Sequence, residues 1–354
     1  LKIKITFLLV FTVLFTASFI NSSEQRLTYL KLIVPKNWPA PSIDIFAGNP
    51  LTEQGFQLGR TLFYDGRLSK DGNISCGSCH QQFAAFVNYD HDFSHGFNNS
   101  FTARNAPAIF NVAWMTSLHW DGSINHLEMQ PLAPITAPNE MAETLENVLL
   151  KISADTAYQR LFKAAFGNTA INSQRMLKAI AQFVGSIQSY NTRYDKMKRG
   201  DTFFTLSEQY GYNVFKAKCN ACHTEPLFTN NTFANNGLQV NPALNDFGRM
   251  NVTGDEGDSI KFKVPSLRNV QLTAPYMHDG RLFTLSQVIA HYTSKIDTTQ
   301  PTLHPLLQHR IAITNQEKVD LLSFLYTLTD VELTNNKRYG PPGLPFSDSY
   351  LHVH

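Results

Sequence analysis

The pentapeptide Cys-x-x-Cys-His occurs twice in this chain, as CGSCH at residues 76–80 and as CNACH at 219–223. All four cysteines of the sequence, Cys76, Cys79, Cys219 and Cys222, belong to these two copies. With 4 cysteines and 12 histidines in 354 residues, one chance copy is on the order of a 10⁻³ event, and two with no cysteine left over are far rarer. The fold must therefore serve this motif twice.

Three chemistries use such a pattern. A thioredoxin-like Cys-x-x-Cys sits in a βαβ pattern and has no need of the following histidine. A structural zinc site needs its four ligands brought together, and these motifs lie far apart in the chain. Covalent attachment of c-type haem accounts for every residue. The two thiols add to the haem vinyl groups, and the adjacent histidine reaches the iron. Two covalently bound haems are expected, with His80 and His223 as their proximal ligands.

The rest of the chain sets limits on this reading. Its length suits two ordinary domains. Apolar residues make up 43% and charged residues 16%, as in a globular protein with a real core, and the formal charge of +2 gives no concentrated basic face for nucleic acid. The short charged stretch DKMKRG at 195–200 reads as a solvated helix end. Near the N-terminus, Lys2 and Lys4 precede an apolar run from Ile5 to Ile20. That is the layout of a secretory signal peptide, expected over residues 1–24 with cleavage near 17–24. A retained anchor is the alternative, although the run is short for a span. No other segment is apolar enough to cross a bilayer, so the mature chain is expected in a periplasm without an integral span.

Helical periodicity dominates. In QRMLKAIAQFVGSIQSY (174–190), Met176, Leu177, Ile180, Val184 and Ile187 share one apolar face. The stretch 205–223 reads as a helix delivering the second motif, with Leu206, Tyr210, Val214 and Phe215 on its buried face. Thr314–Glu317 and Thr284–Gln287 are capping boxes that fix two further helix starts. The expected fold is mainly α: two cytochrome c-like haem domains packed together, with the haem pair bridged by their interface. The expected boundaries are 40–195 for a peroxidatic haem domain and 196–340 for an electron-transfer haem domain. An extended tail follows at 341–354.

The stretches LGRTLFYDGRLS, CGSCH, RNAPAIFN, HWDG, APNEM, CNACH, LFTNNTFANNGL, FKVPSLRNV and TAPYMHDGRLFTLSQVIAHY run in this order from about residue 49 to about 330. In order and spacing the chain resembles the bacterial di-haem cytochrome c peroxidases and their MauG-type relatives. The resemblance implies that the first haem, on His80, meets hydrogen peroxide and that the second, on His223, stores or relays oxidising equivalents. Trp120 matches a tryptophan that carries electrons between them; taken alone it reads as a buried aromatic anchor. Glu140 matches the catalytic glutamate and Gln130 a polar partner that orients peroxide; alone, Glu140 reads as a helix N-terminal acid. His95 lies where some peroxidases carry a histidine that caps the first haem at rest. The neighbouring His91, His119 and His126 read as ordinary surface or core histidines. The resemblance also implies one calcium ion, bound by the Asn105 side chain and the backbone carbonyls of Thr273 and Pro275.

One position divides the family. Peroxidases place a methionine opposite the second haem's histidine; MauG-type enzymes place a tyrosine. The matching residue here is Tyr292, while Met250 and Met277 stand elsewhere, and the bland reading of Tyr292 is a packing aromatic. His291 adjoins it but points about 100° away around the helix. A thioether raises a haem's potential and favours electron uptake from a small cytochrome. A phenolate favours ferric and higher states. Three functions follow: MauG-like oxidation of a partner protein, peroxide removal using electrons from a small cytochrome or cupredoxin, and non-catalytic electron transfer.

Overall fold

The computed structural model describes residues 26–42 and 44–343. The expected signal peptide and the tail from residue 344 onward lie outside the described residues. The chain is mainly helical, and its one named sheet among the described residues pairs Phe233–Ala234 with Phe262–Lys263 antiparallel.

Two large apolar clusters organise these helices. The first is built from Glu53–Phe63, Leu145–Ser153, Thr156–Phe166 and Ser173–Gly185, with Phe56, Phe63, Ile152, Phe162, Ile180 and Phe183 at its centre. The second gathers Arg193–Arg199, Leu206–Lys218, Leu285–Ala290 and Asn315–Tyr326 around Tyr194, Phe215, Phe228, Leu321 and Phe324. Each cluster contains one close helix crossing made possible by glycine. A Cβ on Gly59 would lie 1.9 Å from the Ala179 carbonyl oxygen, and one on Gly211 would lie 1.8 Å from that of Asp320. No side chain fits at either crossing, so the backbones touch there.

The helix expected over 174–190 stops at Gly185. Beyond it, Ser189 exchanges two hydrogen bonds with Asn111, at 2.9 and 3.0 Å, which draws the backbone out of the helical path. The five residues assigned to its apolar face are all buried. The helix Leu206–Lys218 departs further from expectation. Leu206 and Tyr210 are 78% and 58% exposed, so they do not share the buried face of Val214 and Phe215. The crossing at Gly211 sets the rotation of this helix, turning Gly211, with Tyr212 and Phe215 beside it, onto Asn315–Tyr326 and leaving Leu206 and Tyr210 outside. Both capping boxes form: Thr314 with Glu317, and Thr284 with Gln287.

Buried Ser189, just past the first cluster's last helix, accepts from Asn269 at 3.0 Å beside the second cluster, and a buried ion pair braces that second cluster. Arg268 is fully buried, forms two 2.8 Å bonds to Asp195, donates to the Pro226 carbonyl, and lies over the Trp38 ring at 4.5 Å. Every donor of this kind needs such partners when removed from water. After Asn315–Tyr326 the chain returns to the first cluster. Leu333 is part of its core, and the Tyr339 hydroxyl donates to the Ser186 carbonyl at 2.9 Å.

Candidate functional site

The first pentapeptide folds as a short helix, Cys76–Cys79, whose last turn is closed by the His80 amide donating to the Cys76 carbonyl at 2.9 Å. Both thiols and the histidine therefore sit on consecutive turns. Nδ1 of His80 pairs with the Phe86 carbonyl at 3.0 Å. Burial lowers the histidine's pKa and keeps the ring neutral, so Nδ1 donates and the Nε2 lone pair is left to bind metal.

The second pentapeptide follows the C-terminus of Leu206–Lys218. The Cys219 amide donates to Phe215 at 2.8 Å, and the His223 amide donates to Cys219 at 3.0 Å. Nδ1 of His223 faces two carbonyls, Phe228 at 3.2 Å and Pro265 at 3.1 Å. It too is kept neutral by burial. The four cysteines form no disulfide. Burial pushes the Cys76 and Cys219 thiols up to about 12. Redox-active Cys-x-x-Cys pairs depend on a lowered thiol pKa, so the disulfide-exchange chemistry is a poor match. Two close thiols beside a neutral histidine with a directed Nε2 fit covalently attached haem at each motif.

Around the first motif the structure brings together several of the expected residues. Glu140 is half-buried, and burial pushes its carboxyl pKa up. It lies close enough to Cys76 and Cys79 for its charge to raise both thiols. Gln130 Nε2 lies 3.4 Å from His119 Nε2. Trp120 is half-buried, and its indole N–H donates to the Asn105 carbonyl at 2.8 Å. Its own carbonyl accepts from the Lys263 amide at 2.7 Å. Lys263 is two residues from Pro265, whose carbonyl holds His223. One short backbone segment thus touches Trp120 at one end and the second motif's histidine at the other.

His95 is not brought in. It is exposed, with its ring against His91 and Phe101 at 5.3 and 4.8 Å between centroids. The buried neighbour Ser94 faces Cys79 instead, because successive residues of this extended loop point to opposite sides. The expected calcium ligands are only partly gathered. Asn105 donates its backbone N–H to the His278 carbonyl at 2.8 Å, beside the loop containing Thr273 and Pro275. Its carboxamide nitrogen points to the carbonyls of His91 and Asp92. Among the described residues, no group of three or more His, Cys, Asp or Glu could hold a metal ion.

Tyr292 faces the second motif, near enough to Cys219 and Cys222 to feel their charge. Burial pushes its hydroxyl up, while the Asn236 side chain beside it pulls the other way. It stands in a π-helical turn, His291–Lys295, that continues from Leu285–Ala290. Such turns widen a helix locally and recur at functional sites. His291 is buried and turned elsewhere, with Nε2 3.0 Å from the Asn236 carbonyl. Asn236 also donates to the Met277 sulfur at 3.4 Å. Reasoning from sequence assigned no role to Asn236 or His119. Both lie in the quoted stretches ANNGL and HWDG, but nothing local marks their partners.

These two centres define a protein that carries a pair of c-type haems. The family described as di-haem cytochrome c peroxidase matches residues 53–203. The chain is 34% identical over 316 residues to methylamine utilization protein MauG of Methylorubrum extorquens, covering 87% of this chain and 86% of that protein. It is 36% identical over 257 residues to cytochrome c551 peroxidase of Nitrosomonas europaea, covering 70% and 75%. A crystal structure of a MauG-like protein associated with microbial copper homeostasis aligns with a TM-score of 0.82 at 34% identity, covering 88% of this chain and 99% of that one. The chain belongs to the di-haem cytochrome c peroxidase and MauG family, and it is a di-haem oxidoreductase.

Proposed function

We propose that this protein is an exported enzyme that reacts with hydrogen peroxide at its first haem and uses the oxidising equivalents to oxidise side chains of a partner protein. Bound haem supplies the electron chemistry, peroxide reduction at the first centre and storage of oxidising equivalents at the second. The overall change is balanced when two electrons and two protons from the partner convert peroxide into two water molecules.

The chain's own residues have distinct tasks. Glu140 takes a proton from one peroxide oxygen and returns it to the other, a task helped by burial, which raises its pKa and makes it the stronger base. Gln130 orients the peroxide. Trp120, fixed by Asn105 and Lys263, carries electrons toward the first centre. His80 and His223 would each hold an iron through Nε2, because a carbonyl holds Nδ1. Tyr292 would hold the second iron through its hydroxyl oxygen, which would give up its proton for that role. One division of the chain that suits these tasks is a peroxidatic domain over 40–195 and an electron-transfer domain over 196–340.

The observation that carries this reading is that buried Tyr292 lies near enough to Cys219 and Cys222 for their charges to raise its hydroxyl. An anionic oxygen stabilises oxidised iron, which suits a centre that holds oxidising power for a protein substrate. The test is Tyr292→Phe. The second haem's spectrum is expected to change, with both haems still attached and partner oxidation lost. An unchanged spectrum removes the ligand assignment.

A second reading, peroxide removal with electrons from a small cytochrome or cupredoxin, has one observation in its favour. The Met277 sulfur shares Asn236 with Tyr292, so a thioether stands near the same site. Met277→Leu distinguishes the two, because only the second reading expects it to lower the second haem's potential. A calcium ion on Asn105, Thr273 and Pro275 belongs to the same proposal, since neutral oxygens suit a hard cation. Elemental analysis finding no calcium in the purified protein would remove it. A periplasmic location is likewise proposed. No helix among the described residues is long and apolar enough to cross a membrane.

A further inference from the structure

His119 occupies an unusual place. It is a non-glycine residue with φ of 64°, at the start of the turn that carries Trp120. The turn is closed by an antiparallel bridge between Leu118 and Ile124, with the Leu118 amide 2.7 Å from the Ile124 carbonyl. A side chain in left-handed backbone costs about 1 kcal/mol or more, and such residues gather at functional sites. Both ring nitrogens are engaged. Nδ1 lies 3.1 Å from the Ser123 hydroxyl, and Nε2 lies 3.4 Å from the Gln130 amide nitrogen.

The surroundings of this ring favour its neutral form. Burial lowers its pKa, Asp121 opposes that effect, and Lys263 and Arg104 add to it. A neutral imidazole has one donor and one acceptor. Since the Gln130 amide can only donate, Nε2 is the acceptor and Nδ1 carries the hydrogen that goes to Ser123. His119 also lies close enough to His80 that a proton gained by its ring would be felt there. The arrangement therefore belongs to the first centre.

We propose that His119 is a positioning residue for Gln130: its ring, held at Nδ1 by Ser123, accepts one amide hydrogen of Gln130 at Nε2 and fixes that carboxamide for peroxide. An unheld carboxamide rotates freely and can present either its oxygen or its nitrogen. With one hydrogen committed to His119, the second N–H is left to donate to a peroxide oxygen. Contacts of this kind are often long without substrate and tighten with it. The inference rests on Gln130 acting at the first centre, as proposed above.

The test is a double-mutant cycle in the haem-loaded protein, using His119→Leu, Gln130→Leu and both together. Two quantities are read: the rate of the peroxide reaction, and the affinity of the ferric first haem for fluoride, a small anion that accepts hydrogen bonds. Each single change is expected to lower both by about 10- to 100-fold, the usual loss when a supporting partner is removed. The double change is expected to cost no more than Gln130→Leu alone. His119→Gln, which keeps an acceptor, should restore most of the loss and also guards against misfolding by the leucine variant. Additive losses, or a normal fluoride affinity in His119→Leu, would overturn the inference while leaving Gln130 in place. If Gln130→Leu itself has no effect, the reading of Gln130 fails first and this inference with it.

Discussion

At the first motif, His80 is held by one carbonyl, that of Phe86, six residues along the chain. At the second, His223 is held by two, and one of them, Pro265, lies 42 residues away. The first motif is itself a short helix, whereas the second hangs from the end of a long one. The two sites carry the same ligands, yet the first is built locally and the second by distant parts of the chain. The distant part matters, because Phe262–Lys263 also meets the Trp120 carbonyl. A further contrast lies on the other side of each centre. Glu140 stands near the first pair of thiols, and Tyr292 near the second. A shared tether thus leaves each centre's task to residues outside its motif.

The largest effect is expected where the two centres communicate. Trp120→Phe should leave the peroxide reaction at the first haem intact while partner oxidation falls to background, as followed by mass spectrometry of the partner. Equal rates in the variant would make Trp120 a packing residue only. Next comes Glu140→Gln, which should slow the peroxide reaction by about 10² to 10⁴-fold without changing haem content. In the unaltered protein the same rate should rise with pH. The carboxylate form accepts the proton, and its burial-raised pKa places that rise above the ordinary carboxylate range. A rate that is flat with pH and insensitive to the substitution would remove Glu140 from the chemistry.

Asn236→Leu should disturb only the second centre, because the Asn236 side chain meets Tyr292 and Met277, while its backbone carbonyl, which meets His291, is kept. We expect a loss of about tenfold or more in partner oxidation and a shifted second-haem spectrum. The smallest effects concern the scaffold. Gly59→Ala and Gly211→Ala each force a methyl against a carbonyl, and overpacking of this kind costs about 1–3 kcal/mol. Thermal unfolding should show both losses. Only Gly211→Ala should also move the second haem's spectrum, because its helix ends at Cys219.

Much of this organisation is legible in the sequence. The pentapeptides mark the attachment sites, since spacing alone defines that chemistry. Capping boxes mark two helix starts because their bonds span only three residues. Legibility fails where a contact is long-range. The buried face of Leu206–Lys218 departs from the periodic expectation because its phase is set by Gly211 meeting Asp320, which no local periodicity records. His119 and Asn236 look ordinary in sequence, and their importance comes from Gln130 and Tyr292, 11 and 56 positions further on. His95 was placed near the first centre by resemblance, but its loop turns Ser94 inward and His95 outward.

The central claim is that the second centre holds oxidising power generated at the first. The direct measurement adds stoichiometric peroxide to the fully haem-loaded protein without reductant and follows both haems by absorption and electron paramagnetic resonance. We expect a long-lived state, two electrons more oxidised, in which the spectra of both haems change and which Tyr292→Phe shortens. Rapid bleaching, or oxidation confined to the first haem with an unaltered second, would contradict it.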